Sequence, residues 1–353
     1  MNIIVLAGGL SPEREVSLST GGQIANALTK KGNRVLVLDA YKGIEKEGNF
    51  NELYLKYKKD DYNYQIPAKE PDLKSIKNQF GTGNALLGKN VLEVCRMADV
   101  VFIGLHGSIG ENGQLQAVFD IFDIKYTGNG YSGSLLAMDK LVSKQLMVYN
   151  DILTPSWDEI DISKMTELEL IQKFNETPLS FVVKPCNGGS SLGATLVKTS
   201  EDIQKAIEYA RKYEERVLIE QYISGREFSV GVIDGKALPA IEIRAKEGFF
   251  DYANKYQPGL CKEICPAPIS NELEMKLKES AIKVSQILKL DSYSRTDFIV
   301  DGNDKIYCLE SNALPGMTPN SLMPQEAREA GISYEELCEK IVRMALDRDK
   351  KRG

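Results

Sequence analysis

Apolar and polar residues alternate in blocks along the first part of the chain, in an order typical of a parallel sheet. Residues 2–9 (NIIVLAGG) form an apolar run ending in two glycines, and residues 34–40 (RVLVLDA) form a second run. The segment between them begins with Ser11 and Pro12 and ends at Gly32, which are start and stop signals of a helix. The pattern therefore predicts a β-α-β unit at the N-terminus.

The pattern changes several times along the rest of the chain. Residues 41–90 are polar, rich in Tyr and Lys and weakly periodic, so we expect an irregular excursion from the first domain. Helix-then-strand order returns over residues 91–107, and residues 132–152 predict a single helix. The remaining predicted elements are strands around loops over 179–198 and 216–239, a helix over 271–288 and a closing amphipathic helix over 333–346.

A hairpin with polar side chains is predicted over residues 294–313 (SRTDFIVDGNDKIYCLESNA). A tight turn at Gly302 and Asn303 would pair Arg295 with Glu310. Paired and alternate residues of a hairpin share a face of the sheet. If no bulge intervenes, four polar side chains share one face: Arg295, Asp297, Glu310 and Asn312.

Two carboxylates and an amide oxygen, without His or Cys, are typical ligands of a hard cation such as Mg²⁺. The alternative is an ordinary solvated sheet face on which the acids pair with Arg295. The strand ends in Asn-x-x-Pro-Gly, which offers backbone N–H groups beside the acids. Such donors suit a developing anion, so the pattern favours the metal site.

A phosphate site is indicated by residues 181–193 (FVVKPCNGGSSLG), where a strand ends at Lys184 and a glycine-rich loop follows. Glycines let backbone N–H groups approach phosphate oxygens, and the lysine supplies a charge. The alternative is an ordinary flexible turn. Glu220, at the end of an apolar strand, and Glu227 are candidates for ribose contacts. With the cation site, these residues indicate a nucleoside triphosphate.

Length and composition limit the possible classes of protein. The chain has 353 residues, which suggests two or three domains, and its net charge of −6 gives no sign of a nucleic-acid or anionic-membrane partner. We found neither a signal peptide nor an apolar stretch long enough for a membrane helix. The 6 cysteines match no zinc pattern, which fits a reducing cytoplasm.

Eight ordered motifs resemble the D-alanine–D-alanine ligases, which are ATP-grasp enzymes. They are SPEREVSL (11–18), LHGSIGENG (105–113), YTGNG (126–130), MDK (138–140), VVKPCNGGSSLG (182–193), DYANKY (251–256), RTDF (295–298) and LESNALPGMTPNS (309–321). The resemblance implies an α/β ATP-grasp fold of three domains. These would be a Rossmann-like substrate domain over 1–128, a central ATP-grasp subdomain over 129–222 and a C-terminal subdomain over 223–353, with ATP between the last two.

The resemblance also implies an activity. One D-alanine carboxylate would be phosphorylated by ATP, and the amine of a second D-alanine would then displace phosphate, giving D-Ala-D-Ala for peptidoglycan. Two Mg²⁺ or Mn²⁺ ions per site, a homodimer and a cytoplasmic location are implied as well. Arg295 and the metal ions would offset negative charge during both steps.

The family's functional residues map onto matching positions of this sequence. Catalytic groups would be Glu13, Ser190, Tyr256, Arg295 and Gly316, and substrate contacts would be His106, Lys255, Ser321 and Leu322. ATP contacts would be Lys140, Lys184, Ser191, Gly193, Glu220, Ile223 and Glu227, and metal ligands Asp297, Glu310 and Asn312. Taken singly, a glutamate in a first helical turn and a lone loop histidine are more often structural.

Alternative functions differ in the second substrate or in the class of protein. A D-Ala–D-lactate or D-Ala–D-Ser ligase has the same architecture. Retention of Lys255-Tyr256, and Leu322 rather than a basic residue after Ser321, favour D-alanine. A non-catalytic ATP-binding regulator would be expected to lack metal or oxyanion residues. A nicotinamide dehydrogenase lacks support because the dinucleotide fingerprint is absent.

Overall fold

A computed structural model of the chain describes residues 1–46, 48–67, 71–81, 83–189, 191–245 and 261–352, and within them three β-sheets form. The first sheet is parallel and contains β1 (Asn2–Ala7), β2 (Arg34–Asp39) and β3 (Val100–Ile103). The second contains β4 (Trp157–Asp161), β5 (Phe181–Pro185), β6 (Thr195–Val197) and β7 (Arg216–Gln221). The third contains β8 (Gly225–Ile233), β9 (Lys236–Ala237), β10 (Ile241–Ala245), β11 (Cys261–Ile264), β12 (Tyr293–Asp301) and β13 (Ile306–Asn312).

The helices connect and cover these sheets. In the first half of the chain they are α1 (Arg14–Lys30), α2 (Phe50–Tyr57), α3 (Leu73–Phe80), α4 (Val91–Cys95), α5 (Gln114–Ile121), α6 (Tyr131–Met138), α7 (Lys140–Tyr149) and α8 (Glu167–Glu176). In the second half they are α9 (Asp202–Arg211), α10 (Asn271–Ile287), α11 (Leu322–Glu329) and α12 (Tyr334–Arg352). None of the helices in the described ranges combines the length and apolar character needed to cross a bilayer.

The predicted N-terminal β-α-β unit is confirmed, with β1 between β2 and β3. Helix α1 lies close to β1 because it carries a glycine at the contact. A Cβ at Gly21 would lie only 2.5 Å from the Cβ of Ala7. The core of this sheet also includes Leu337 and Ile341 from α12, so the C-terminal helix closes the N-terminal sheet.

The second and third sheets are antiparallel and carry the nucleotide-related motifs. Apolar residues of β5 and β7 pack against α8 and α9, while β8 and β12 pack against α10. The ranges 1–128, 129–222 and 223–353 each contain the strands of one sheet. These ranges remain a prediction as domain boundaries.

Two expectations about local structure were wrong. The single helix expected over 132–152 is two helices, because Asp139 leaves the helical conformation and its side chain accepts a hydrogen bond from the N–H of Val142 at 3.1 Å. The described part of residues 41–90 is also more regular than expected, since it contains α2 and α3. Asn49 and Asp72 cap these two helices.

The expected register of the β12–β13 hairpin was also wrong. The turn spans Gly302–Asp304, with Asp304 at φ 57°, so Val300 pairs with Ile306. The carboxylate of Asp301 stabilises this longer turn by accepting from the N–H groups of Asn303 at 2.8 Å and Lys305 at 3.0 Å.

A β-bulge then restores the expected arrangement of polar side chains. The register shifts between Asp297 and Phe298, and Leu309 is the extra residue on β13. Beyond the bulge, Asp297 pairs with Glu310, and Arg295 pairs with Asn312 rather than with Glu310. The four polar residues of the hairpin therefore share one face, although each pair differs from the expected one.

Candidate functional site

A cavity of about 650 Å³ lies between the second and third sheets. Its walls come from β5, β7, β8, β10, β12 and β13, together with the loop after β5. The predicted ATP-site residues among its lining are Lys140, Lys184, Ser191, Glu220, Ile223 and Glu227, and Asp297 and Glu310 line it as well. The fold thus brings together residues that the sequence separates by more than 150 positions.

One wall of the cavity contains a buried carboxylate between two lysines. Glu220 is the last but one residue of β7. Its Oε1 accepts from Nζ of Lys184 at 2.8 Å, while Nζ of Lys144 lies 2.6 Å from its Oε2. Burial raises the pKa of Glu220, but the two lysines outweigh it and hold the pKa below its usual value. Burial lowers the pKa of Lys184, yet Glu220 and Glu310 raise it overall. Glu220 and Lys184 are therefore both charged near neutral pH.

The hairpin supplies a cluster of oxygen atoms at the other wall. Asp297 accepts from Nε and Nη2 of Arg295 at 2.9 and 2.8 Å, from Oγ of Ser229 at 2.7 Å and from Nδ2 of Asn312 at 3.2 Å. Burial lowers the pKa of Arg295, but Asp297 more than compensates and raises it. The cluster is preorganised by hydrogen bonds between its own members.

The donor set fits a hard cation. Among the described residues no group of three or more His, Cys, Asp and Glu side chains is placed to hold a metal. Asp297 and Glu310, with the amide of Asn312, offer two carboxylates and one amide oxygen on one sheet face. Such a small set suits Mg²⁺, which usually keeps several water and phosphate ligands.

The glycine-rich loop extends from this cavity towards the segments that follow β1 and β3. Nζ of Lys140 donates to the carbonyl of Gly188, and a Cβ on Gly189 would lie 3.9 Å from carboxylate oxygens of both Glu13 and Glu111. Gly193 has φ +74°, and a Cβ there would lie 2.7 Å from Cγ of Pro185, so the turn requires glycine.

The N-terminal side of the site contains Glu13 and His106, both buried. Nε2 of His106 lies 3.2 Å from Oγ1 of Thr20, and Nδ1 lies 3.8 Å from Oε1 of Glu111. Burial lowers the pKa of His106, but Glu111 and Glu13 outweigh burial and raise the pKa above its usual value. Glu13 immediately precedes α1, whereas the sequence predicts it within the first turn of a helix that begins near Ser11.

The segment after β13 places three further predicted residues. A Cβ on Gly316 would lie 3.0 Å from Oγ of Ser321, and this hydroxyl also accepts from the N–H of Thr318 at 3.1 Å. Leu322 is the first residue of α11. Ser190, Lys255 and Tyr256 lie outside the described residues, so their predicted roles remain predictions.

Two family models match this chain over most of its length. The model described as D-ala D-ala ligase N-terminus matches residues 2–129, and the model described as D-ala D-ala ligase C-terminus matches residues 146–343. The chain belongs to the D-alanine–D-alanine ligase family. The family resemblance and the α/β ATP-grasp fold expected from the sequence are thereby confirmed.

Individual family members are similar over nearly their whole length. A D-alanine–D-alanine ligase of Pediococcus pentosaceus is 41% identical, with 97% of this chain and 97% of that protein covered. A crystal structure of a D-alanine–D-alanine ligase from Bacillus anthracis is 28% identical, with a TM-score of 0.77 and 100% of both chains covered. A crystal structure of that organism's ligase complexed with ATP has 26% identity and a TM-score of 0.75, again with 100% of both chains covered.

Sequence reasoning missed several residues of the ligase site. Lys144 lies four residues after Lys140 on α7, and this spacing places two lysines on one helix face, a signal that was present in the sequence. Ser229 and Leu309 gave no such signal. Their roles depend on strand pairing and on a bulge, which follow from the tertiary structure.

Proposed function

We propose that this chain is an ATP-dependent D-alanine–D-alanine ligase that forms D-Ala-D-Ala for peptidoglycan. The observation that carries the proposal is the cavity in which two lysines from one side face the oxygen cluster of the β12–β13 hairpin from the other. Nζ of Lys140 lies 3.5 Å from Oε2 of Glu310, so the lysine side of the cavity contacts the oxygen cluster of the hairpin directly. Family membership supports ATP as the substrate.

The first step transfers the γ-phosphoryl group of ATP to the carboxylate of one D-alanine. Lys140 and Lys184 hold the phosphates, with Ser191 and Gly193 in the loop that covers them. Ile223, Glu220 and Glu227 contact adenine and ribose. Asp297, Glu310 and Asn312 would hold two Mg²⁺ or Mn²⁺ ions per site. When bound, these ions would neutralise negative charge on the phosphates. Glu13 and His106, near the loop, orient the first D-alanine.

The second step is attack of the second D-alanine's amine on the acyl phosphate, with loss of inorganic phosphate. Arg295 and the N–H of Gly316 stabilise the oxyanion. Ser321 and Leu322 contact the carboxylate of the second D-alanine. Ser190 and Tyr256 hold Glu13, and Lys255 and Tyr256 belong to a closing loop that keeps water from the acyl phosphate.

Product analysis tests the proposal directly. The protein is incubated with ATP, Mg²⁺, D-alanine and equal amounts of D-serine and D-lactate, and the products are identified by mass spectrometry. We expect D-Ala-D-Ala, ADP and phosphate in equal amounts. The acceptor has to be tested because a pocket separates such small groups by only about 1–3 kcal/mol. If D-alanine alone gives no dipeptide while D-serine or D-lactate is joined to it, the acceptor assignment is wrong.

We further propose a homodimer in the cytoplasm, on the basis of family membership. Light scattering of the purified chain gives its mass directly. A mass of about 39 kDa, that of one chain, would contradict the dimer. The dehydrogenase and regulator alternatives have no support among the relatives, which carry the name of the ligase.

A further inference from the structure

Lys144 is a buried cation to which the proposed reaction assigns no role. Its side chain is 1% exposed, and its Nζ has three oxygen neighbours: Oγ1 of Thr154 at 2.6 Å, the carbonyl of Pro155 at 3.0 Å and Oε2 of Glu220 at 2.6 Å. The ring of Trp157 lies 5.0 Å away. Two of these contacts, to Thr154 and Pro155, are hydrogen bonds, and the third is an ion pair with Glu220, so the buried ammonium group is enclosed by oxygen atoms.

Lys184 shares Glu220 with Lys144 but is held differently. It lines the cavity, its side chain is 12% exposed, and its hydrogen bond goes to the other oxygen of Glu220. The three charges sum to one excess positive charge at the cavity wall. Because Lys144 is buried and also bound to Thr154 and Pro155, whereas Lys184 lines the cavity, Lys184 is the lysine that can change partner.

We propose that Lys144 is a positioning residue that serves as the fixed counter-ion of Glu220, so that Lys184 is released to bind an anionic polyphosphate. Loss of Lys144 would leave Lys184 and Glu220 as a closed neutral pair, with no surplus charge for the ligand. This inference rests on the proposed function, because it assigns the cavity to a triphosphate.

The charge of Lys144 near pH 7 supports its assignment as the counter-ion of Glu220. Burial lowers the pKa of Lys144 to about 8, with Glu220 acting in the opposite direction. Most of the Lys144 population is therefore protonated at pH 7. Binding should accordingly be measured at pH 7, where the cluster has its full charge.

Inorganic tripolyphosphate is the appropriate probe, because it lacks the base and ribose that Glu220 is proposed to contact. Its Kd is measured by calorimetry in EDTA with the full chain, so that metal ions do not contribute. We expect Lys144→Met and Lys144→Gln to raise the Kd about tenfold, because one charged contact to phosphate is lost. Thr154→Ser, which keeps the hydroxyl that accepts from Lys144 and leaves the charge unchanged, should stay within about twofold of the wild-type Kd.

Adding Glu220→Gln to Lys144→Met distinguishes the loss of positive charge available at Lys184 from a general disruption of the site. In Lys144→Met/Glu220→Gln no carboxylate remains to hold Lys184, so tripolyphosphate affinity should return towards the wild-type value. Unchanged affinity in both Lys144 variants, equal weakening in Thr154→Ser, or no recovery in the double variant would each overturn the inference. If the wild-type chain binds neither ATP with Mg²⁺ nor tripolyphosphate, the proposed function itself fails.

Discussion

Individual side chains of the site are held by neighbours that the sequence places far away. Asp297 accepts from Ser229, and Glu220 depends on Lys144 and Lys184. Glu326 on α11 is another buried carboxyl group, whose Oε2 accepts from the N–H of Gly231 at 2.7 Å. Residue chemistry thus sets the candidate roles, but the environment sets the charge states.

Glu310→Gln tests the proposed metal site. The substitution keeps size and removes the charge, so we expect Mg²⁺-dependent turnover to fall by about 100-fold or more while circular dichroism is unchanged. Glu167→Gln, on the exposed first turn of α8, is the control. Unchanged turnover in the Glu310 variant would contradict the assignment of this residue as a ligand.

Glu326→Gln tests the effect of burial on a carboxyl group. Burial raises the pKa of Glu326 from 4.5 to about 8, while the Gly231 N–H and Arg295 act against it. The native state therefore holds a proton that the unfolded state loses, so wild-type stability falls as pH rises from 4.5 towards 8.

The amide variant has no such ionisation. Its free energy of unfolding relative to wild type should increase by up to about 1.4 kcal/mol per pH unit across that window. Urea unfolding of both proteins at pH 5 and pH 8 measures this difference. A constant difference at the two pH values would show that Glu326 does not retain its proton.

Secondary-structure elements position the site through two local departures from regularity. The bulge at Leu309 compensates for the three-residue turn of the hairpin and returns Glu310 and Asn312 to the face of Asp297. On the side of β8 away from β12, the neighbouring strands β9 and β10 are separated by residues 238–240. The N–H of Gly231 on β8 faces this interruption and donates to Oε2 of Glu326. Helix α11 is thereby fixed to the strand next to β12.

Gly231→Ala tests this contact between helix and strand. A Cβ there would lie 2.4 Å from Oε2 of Glu326 and 3.0 Å from Cδ1 of Leu238, so we expect a loss of about 1–3 kcal/mol in unfolding free energy. Gly302→Ala is the matched control, since no atom lies within 4 Å of its Cβ, and should change stability by less than about 0.5 kcal/mol. Equal values for the two variants, by denaturant titration, would refute a close approach at Gly231.

At the scale of the whole molecule, the C-terminal helix is joined to residues that follow the first sheet in the sequence. Arg348 on α12 donates to the carbonyls of Gly128 at 2.5 Å and Tyr126 at 2.8 Å, and its guanidinium lies 4.4 Å from the ring of Tyr126. These contacts tie the last helix to the segment that contains Tyr126 and Gly128, next to the first sheet.

Arg348→Met should therefore lower the unfolding free energy by about 1–3 kcal/mol, because charge-assisted hydrogen bonds to two carbonyls are lost. Arg343→Met is the control: the side chain is 69% exposed and pairs with Glu339 on the same helix, so its loss should cost well below about 1 kcal/mol. Thermal and urea unfolding of the two variants give the comparison. An Arg348 variant as stable as the Arg343 variant would rule out this tie.

The sequence by itself determined the β-α-β start, the order of motifs, the family and the chemical types of the site residues, because these depend on local pattern and composition. Only the tertiary structure decided the hairpin register, the bulge at Leu309 and the partners of Lys144 and Glu326. Each of these depends on which distant groups share a buried space, and burial sets both the geometry and the charge of those groups. Local sequence patterns do not specify which distant groups are buried together.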